Sequence, residues 1–373
     1  MSIAKSERIA RLQLYRTKNI GAITFQKLLT RFGSAISAIE NLETITSRHN
    51  KTIIPASINF VENEIERAQS KGICLLVQGD DNFPERFTNT IGLPPVLFTI
   101  GNTHLLTKNS ISIVGARTCS DMSGRFAYRI AKEVGKAGFT IVSGLARGID
   151  TFAHQGSLET GTVAVMAGGV DICYPSENQK LYDQISEQGC LISEMAVGTK
   201  SSARLFPIRN RLVAGLSIAT CVVEAELKSG SLITARLANE MGRDVFAVPG
   251  SPWDSRSRGC NKLIKDGAYP LETPDDISNT MSLFNNALNN TTASDFDTQL
   301  DVPTITDIDA IKVAKKILDI LISSPRDVNS IIRESNYPPS VVKGVLLEME
   351  LTENIKYDHT GLCSLLASPR GGA

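Results

Sequence analysis

The sequence predicts an α/β protein built on a doubly wound parallel sheet, with a small helical domain before it and a winged-helix domain after it. Three observations carry this. Between residues 111 and 275, apolar runs of strand length alternate with helical patterns. Those runs are almost wholly apolar, as strands covered on both faces by helices must be. After residue 303, three helical patterns followed by a strand-like tail make the winged-helix order.

Residues 1–75 read as helical. Ile9, Leu12 and Leu14 lead to Ile20-Gly21-Ala22-Ile23, and Phe25, Leu28, Leu29 and Phe32 recur at helical spacing before Gly33 stops the run. The pieces are short, so a small bundle is expected. Through Arg31 this stretch carries Lys5, Arg8, Arg11, Arg16, Lys18, Lys27 and Arg31 against a single acid, Glu7. Residues 76–110, with Pro84, Pro94 and Pro95, read as a connector with one or two short strands at the start of the central domain.

The central domain is expected over 76–275. Its strand-like runs are Ile111–Ala116, Thr140–Ser143, Thr162–Ala167, Cys190–Ser193, Ala219–Glu224 and Val245–Val248. The helical segments are 121–137, 148–159, 178–188, 209–216 and 231–241, on the short connections typical of βα units. Residues 276–303 are rich in Asn, Thr, Ser and Asp and read as a linker. A winged-helix domain is expected over 304–373, with helices at 308–322, 327–334 and 339–351, then Ile355-Lys356-Tyr357, a turn at His359-Thr360-Gly361, and Leu362–Leu366.

Composition narrows the function classes. The chain has 373 residues, 42% apolar, with 39 basic and 39 acidic side chains, so charge can act only where it clusters. The seven cysteines (74, 119, 173, 190, 221, 260, 363) include no CxxC, and the four histidines form no HExxH. No metal or other cofactor is expected. The N-terminus is no secretory signal and no apolar run has the length of a membrane span, so a cytoplasmic protein without a membrane partner is expected.

Ligands of an open parallel sheet sit beyond the carboxyl ends of its strands. The segments there are Gly115-Ala116-Arg117-Thr118, Ser143-Gly144-Leu145-Ala146-Arg147-Gly148-Ile149-Asp150, Gly168-Gly169, the loop from Lys200 through Phe206 to Arg211, Ser229-Gly230-Ser231, and Pro249-Gly250-Ser251 followed by Arg256 and Arg258. Each glycine alone explains no more than a tight turn. Several such loops with hydroxyls and cations on one rim make an anion site, because backbone N–H groups can approach a phosphate closely. From 200 to 265 eleven basic residues face five acids. Arg209-Asn210-Arg211 beside Phe206 has the parts of a single-strand nucleic-acid groove. Phe206 fits two readings, a stacking platform and a core side chain. His154 reads as a helix-surface or core histidine rather than a base, Asp150 as a first-turn carboxylate, and Glu194 and Glu224 as groups that orient arginines. There is no GxxxxGK[ST], no GxGxxG after the first strand and no GxSxG.

Ile113-Val114-Gly115-Ala116-Arg117, Ser143 to Asp150, Phe206-Pro207-Ile208-Arg209-Asn210-Arg211, Ala214-Gly215-Leu216-Ser217, Glu224-Ala225, Ser229 to Ala235 and Val248-Pro249-Gly250 occur in that order, preceded by Phe83-Pro84 and Leu93-Pro94-Pro95. Together they closely resemble the DprA/Smf family of bacterial DNA-processing proteins. The resemblance implies an extended Rossmann-like domain that binds single-stranded DNA without sequence preference, dimerises, and loads the recombinase RecA in natural transformation, with no catalytic activity. It places the DNA pocket at Arg117, Ser143, Gly144, Phe206, Arg209, Asn210, Arg211, Ser229 and Gly230. Ala116 stands where the family usually has Ser, and Asn19-Ile20-Gly21-Ala22 resembles a SAM-like or helix-hairpin-helix turn without its second Gly-Pro. The winged-helix segment carries Glu348 and Glu350 on its third helix, which suits protein contact or a plain structural role better than a DNA groove. The alternative is a nucleotide phosphoribohydrolase of the LOG-like kind. Its PGGxGT-like loop has only Ala167-Gly168-Gly169-Val170-Asp171 as a counterpart, without the Thr and the following Glu pair.

Overall fold

A computed structural model describes residues 3–47, 53–280, 307–358 and 361–366. Most of the expected linker therefore lies outside the described residues. The described chain divides into two compact units, one over 62–280 and one that gathers 4–61 with 307–366.

The discontinuous unit begins with α1 (Lys5–Arg16), α2 (Ala22–Phe32) and α3 (Ala35–Ser47); α4 (Ile58–Gln69) carries the chain from one unit into the other. Helix α2 ends as the sequence predicts: Gly33 takes φ +76° and its N–H returns to the Leu29 carbonyl. The later part holds helices Asp307–Ser323, Val328–Ser335 and Pro339–Leu351, with strands Ile355–Tyr357 and Cys363–Leu365 paired antiparallel. Asp327 caps the second of these helices by accepting from Ser330 N. Leu347 and Leu351 of the third helix share one core with Leu14, Phe25, Leu28 and Leu42.

Charge follows the same seam. Arg31 Nη2 donates to Glu348 Oε1 at 2.7 Å, and Arg31 Nη1 to the Gly344 carbonyl at 3.2 Å. Lys27 Nζ donates to Glu350 Oε2 at 2.7 Å and lies 4.6 Å from the Tyr357 ring centroid. Asn19 Nδ2 reaches Glu353 Oε1 at 3.1 Å. The acidic third helix thus packs within its own chain, as a structural role requires, and engages part of the basic N-terminal stretch.

The other unit is a nine-stranded sheet in the order β1-β2-β6-β5-β4-β3-β7-β8-β9. The strands are β1 (Cys74–Val77), β2 (Val96–Gly101), β3 (Ser110–Gly115), β4 (Thr140–Ser143), β5 (Thr162–Val165), β6 (Cys190–Ser193), β7 (Ala219–Val223), β8 (Asp244–Ala247) and β9 (Tyr269–Pro270). From β6 to β9 every pairing is parallel, while β1 and β2 add antiparallel with Phe98 opposite Ser193. The helices are α5 (Glu85–Thr88), α6 (Asp121–Lys136), α7 (Ile149–Ser157), α8 (Gln179–Gln188), α9 (Leu205–Leu216), α10 (Ser231–Glu240) and α11 (Arg258–Lys265). Ile111, Ile113, Ile141 and Phe246 pack on α6 and α7 on one face. Val114, Val142, Val163 and Val222 pack with residues of α9, α10 and α11 on the other.

All six expected strand-like runs form strands. The differences lie at the margins. Cys74 and Leu75, read as the end of the helical domain, begin β1, and the proline-bearing connector supplies β2, which pairs with β6. Helix α11 and the two-residue β9 were not expected.

From β3 the chain steps through β4 and β5 to β6, then returns to place β7 on the free side of β3. The helix after β3 lies on one face and the helix after β7 on the other. A crevice therefore opens at the carboxyl ends of β3 and β7, the switch point where doubly wound sheets take their ligands.

Candidate nucleic-acid interface

The crevice is a cavity of about 820 Å³. Its floor is formed by close approaches that only glycine permits. A Cβ on Gly115 would stand 1.9 Å from the Val223 carbonyl, and one on Gly144 would stand 1.8 Å from an Arg209 Nη. The Arg209 guanidinium therefore lies directly on the Gly144 backbone.

Arg209 is 6% exposed, although the sequence places it on the rim. Its Nη1 donates to the Val165 carbonyl at 2.6 Å, and its buried Nε has no hydrogen-bond partner among the described residues. Burial pushes its pKa down, Asp150 pulls it back, and Arg117 adds to the depression. Asp150 Oδ2 accepts from Gly144 N at 3.1 Å and Ala146 N at 3.3 Å. Burial pushes this carboxyl up, opposed by Arg209 and those amides. Asp150 thus ties the Gly144 loop to α7 and balances Arg209.

His154 is a core residue. Leu145 N donates to its Nε2 at 3.3 Å, and its Nδ1 lies 2.7 Å from Thr162 Oγ1. Thr162 Oγ1 donates to the Ile141 carbonyl at 3.2 Å, which leaves it to accept from Nδ1–H and selects the neutral ring. Burial lowers the His154 pKa to about 3, with a further push from Arg209.

The upper wall is aromatic and cationic. The Arg117 guanidinium sits 4.8 Å from the Phe206 ring centroid, and the Tyr174 ring meets Phe206 at 5.6 Å and 48°. Phe206 is partly exposed and lines the cavity, so it is not a core side chain. Asn210 Nδ2 donates to the Gly230 carbonyl at 3.4 Å, and Ser229 Oγ lies 2.7 Å from Ser231 Oγ at the start of α10. Arg117, Arg209, Lys228 and Arg256 line the cavity against the carboxylates Asp150 and Glu226.

The structure brings Arg117, Gly144, Phe206, Arg209, Asn210, Ser229 and Gly230 together. Ser143 and Arg211 do not join them. Ser143 is fully buried and its Oγ donates to the Ile113 carbonyl at 2.6 Å, bracing β4 on β3. Arg211 pairs with Glu194 and donates to the Gly92 carbonyl. Glu194 therefore does orient an arginine. Glu224 instead accepts from Ser120 Oγ at 2.6 Å and Ser120 N at 3.1 Å, holding the cap of α6. Sequence reasoning missed Tyr174. The signal was an aromatic in the loop after β5, five residues beyond the glycine pair.

Comparison with known proteins follows the same divisions. The family model for DNA recombination-mediator protein A matches residues 74–282, the DprA-like N-terminal HHH domain matches 5–67, and the DprA winged helix domain matches 306–356. Protein Smf of Synechocystis is 36% identical over 280 residues, covering 71% of this chain and 70% of its own. DNA processing protein DprA of Streptococcus pneumoniae is 40% identical over 200 residues, covering 53% and 71%. The X-ray structure of the S. pneumoniae protein superposes with a TM-score of 0.62 at 32% identity, over 74% of this chain and 98% of that one. DNA processing protein A from Helicobacter pylori, whose structure is described in terms of a single-stranded DNA binding mode, gives 0.52 at 30% identity, over 57% and 96%. With its strand order, its switch-point cavity and these matches, the chain belongs to the DprA/Smf family of DNA-processing proteins.

Proposed function

We propose that this chain binds single-stranded DNA without sequence preference, in the cavity at the carboxyl ends of β3 and β7, and carries out no reaction on it. The observation that carries this reading is the Arg117–Phe206–Tyr174 cluster standing above the buried Arg209. An aromatic face accepts any base, and cations beside it neutralise the backbone. Contacts come from Arg117, Gly144, Phe206, Arg209, Asn210, Ser229 and Gly230, while Ser143 and Arg211 support the walls. The relative from H. pylori, with its single-strand binding mode, supports the same substrate.

A hydrolytic role has less support. Asp150 is committed to backbone amides, Glu194 to Arg211 and Glu224 to the cap of α6. We further propose that the protein works in the cytoplasm as a dimer, protects incoming strands and passes them to RecA, as the family resemblance implies.

Binding of labelled oligo-dT and of duplex of equal length across a salt series tests the central claim. The single strand is expected to bind much more tightly, with log K falling as log salt rises. Equal or stronger binding of duplex overturns it.

A further inference from the structure

The loop between β8 and α11 borders the cavity and is tied to itself and to α11. Asn261 Oδ1 accepts from Gly250 N at 3.1 Å, and Asn261 Nδ2 donates to the Gly250 carbonyl at 2.9 Å. Asp254 Oδ1 accepts from Arg256 N at 3.0 Å, and Trp253 N donates to Ser251 Oγ at 3.3 Å. On this ordered loop stands Trp253, the single tryptophan of the chain, 92% exposed. An indole held this far into water contributes almost nothing to packing within its own unit.

Cationic residues follow it along the chain. Arg256, three residues on, lines the cavity, and Arg258 beyond it is exposed. Arg256 is held by Asp254, with Nε to Oδ1 at 3.0 Å and Nη2 to Oδ2 at 2.8 Å. Such an exposed pair is worth little, so a phosphate can replace the carboxylate at small cost. A large exposed aromatic on the loop whose Arg256 lines the cavity, with exposed Arg258 further along the chain, matches a nucleic-acid strand better than an apolar protein surface.

Resting on the single-strand reading above, we propose that a strand leaving the cavity past Arg256 stacks a base on Trp253. The loop extends the binding site by at least one nucleotide and makes affinity depend on strand length within one protomer.

The sole tryptophan is its own probe. The full-length protein is titrated with oligo-dT of increasing length, following tryptophan fluorescence and, separately, the anisotropy of a label on the strand. Fluorescence is expected to be quenched only by strands longer than those that saturate the cavity. The same strands with abasic sites at the positions outside the cavity should bind without quenching. Trp253→Ala should weaken long strands by roughly five- to a hundredfold, the range that stacking on one aromatic supplies, and leave short strands unchanged. Trp253→Phe should retain much of the affinity. Long strands that bind with unchanged fluorescence and equal affinity for Trp253→Ala overturn the proposal while leaving the cavity reading intact. A Trp253→Ala protein with altered oligomeric state and unaltered DNA affinity overturns it in favour of a protein partner. Absence of any anisotropy change with wild-type protein removes the single-strand reading and this one with it.

Discussion

Arg117 and Arg209 stand on the same cavity, yet losing each should have a different effect, because one is exposed and the other is buried against Gly144. Arg117→Ala should weaken single-strand binding and flatten the salt dependence by roughly 0.7 in slope, the share of one phosphate on a single strand. Its melting temperature should match the wild type. Arg209→Ala removes the positive charge that favours ionised Asp150 and the donor to the Val165 carbonyl, so chemical denaturation should show a loss of about 1–3 kcal/mol, the range for a buried polar group left unsatisfied. An Arg209→Ala protein as stable as wild type would show that this guanidinium carries no structural load. His154 adds a pH dependence. Its folded pKa of about 3 lies below the ordinary 6.5, so unfolding takes up a proton between those values. Stability should therefore be full above pH 6.5 and fall by about 1.4 kcal/mol per unit below it. Asp150, raised by burial, works in the opposite direction and blunts the fall at the acid end. Melting temperatures at pH 7.5, 6 and 5 should decline, and His154→Gln should flatten the slope between pH 6.5 and 5. An unchanged slope would place the titration elsewhere. The sequence exposed the residue types of the site but not their depth: Arg209 and Arg211 are two positions apart on α9, and the helix turns one onto the cavity floor and the other toward Glu194.

At the scale of elements, the third winged-helix helix and α2 are joined by a buried carboxylate. Glu348 is fully buried and takes Arg31, whose side chain is 18% exposed. Glu348→Gln keeps the shape and removes the charge, so unfolding free energy should drop by about 2–3 kcal/mol, below the full value for a buried pair because Arg31 keeps some water. Arg31→Ala should cost a similar amount, and the double variant should cost less than the two together. Strict additivity in denaturant titrations would mean that the two side chains do not interact. The same scale separates what could be read in advance from what could not. Strands β3 to β8 were legible because burial on both faces writes a continuous apolar run. Helix α11, with Arg258, Lys262 and Lys265, reads as a cationic loop, since only Gly259 and Cys260 are buried. Strand β9 is two residues long and includes Pro270, so it leaves no periodicity to find. Tyr174 and Trp253 sit in irregular loops, where side-chain direction follows from tertiary hydrogen bonds rather than from spacing.

For the molecule as a whole, the proposed dimer would hold one cavity in each copy and make the second contact with a strand intramolecular, at an effective concentration of order mM when the strand reaches both. Affinity should keep rising with oligonucleotide length beyond what the cavity and Trp253 of one protomer can hold. Light scattering that finds a monomer at micromolar protein, or affinity that levels off once one protomer is filled, would refute the dimeric arrangement. The discontinuous unit has a consequence for manufacture. Arg31 must wait for Glu348, which lies 317 positions later in the chain. At the usual pace of bacterial translation, on the order of 5–20 residues per second, that wait is roughly 15–65 s. Throughout it Phe25 and Leu28 lack the neighbours that Leu347 and Leu351 supply. The first helices off the ribosome are thus among the last to be completed, and a nascent chain stalled before residue 339 should be cut by protease within α2 where the finished protein resists.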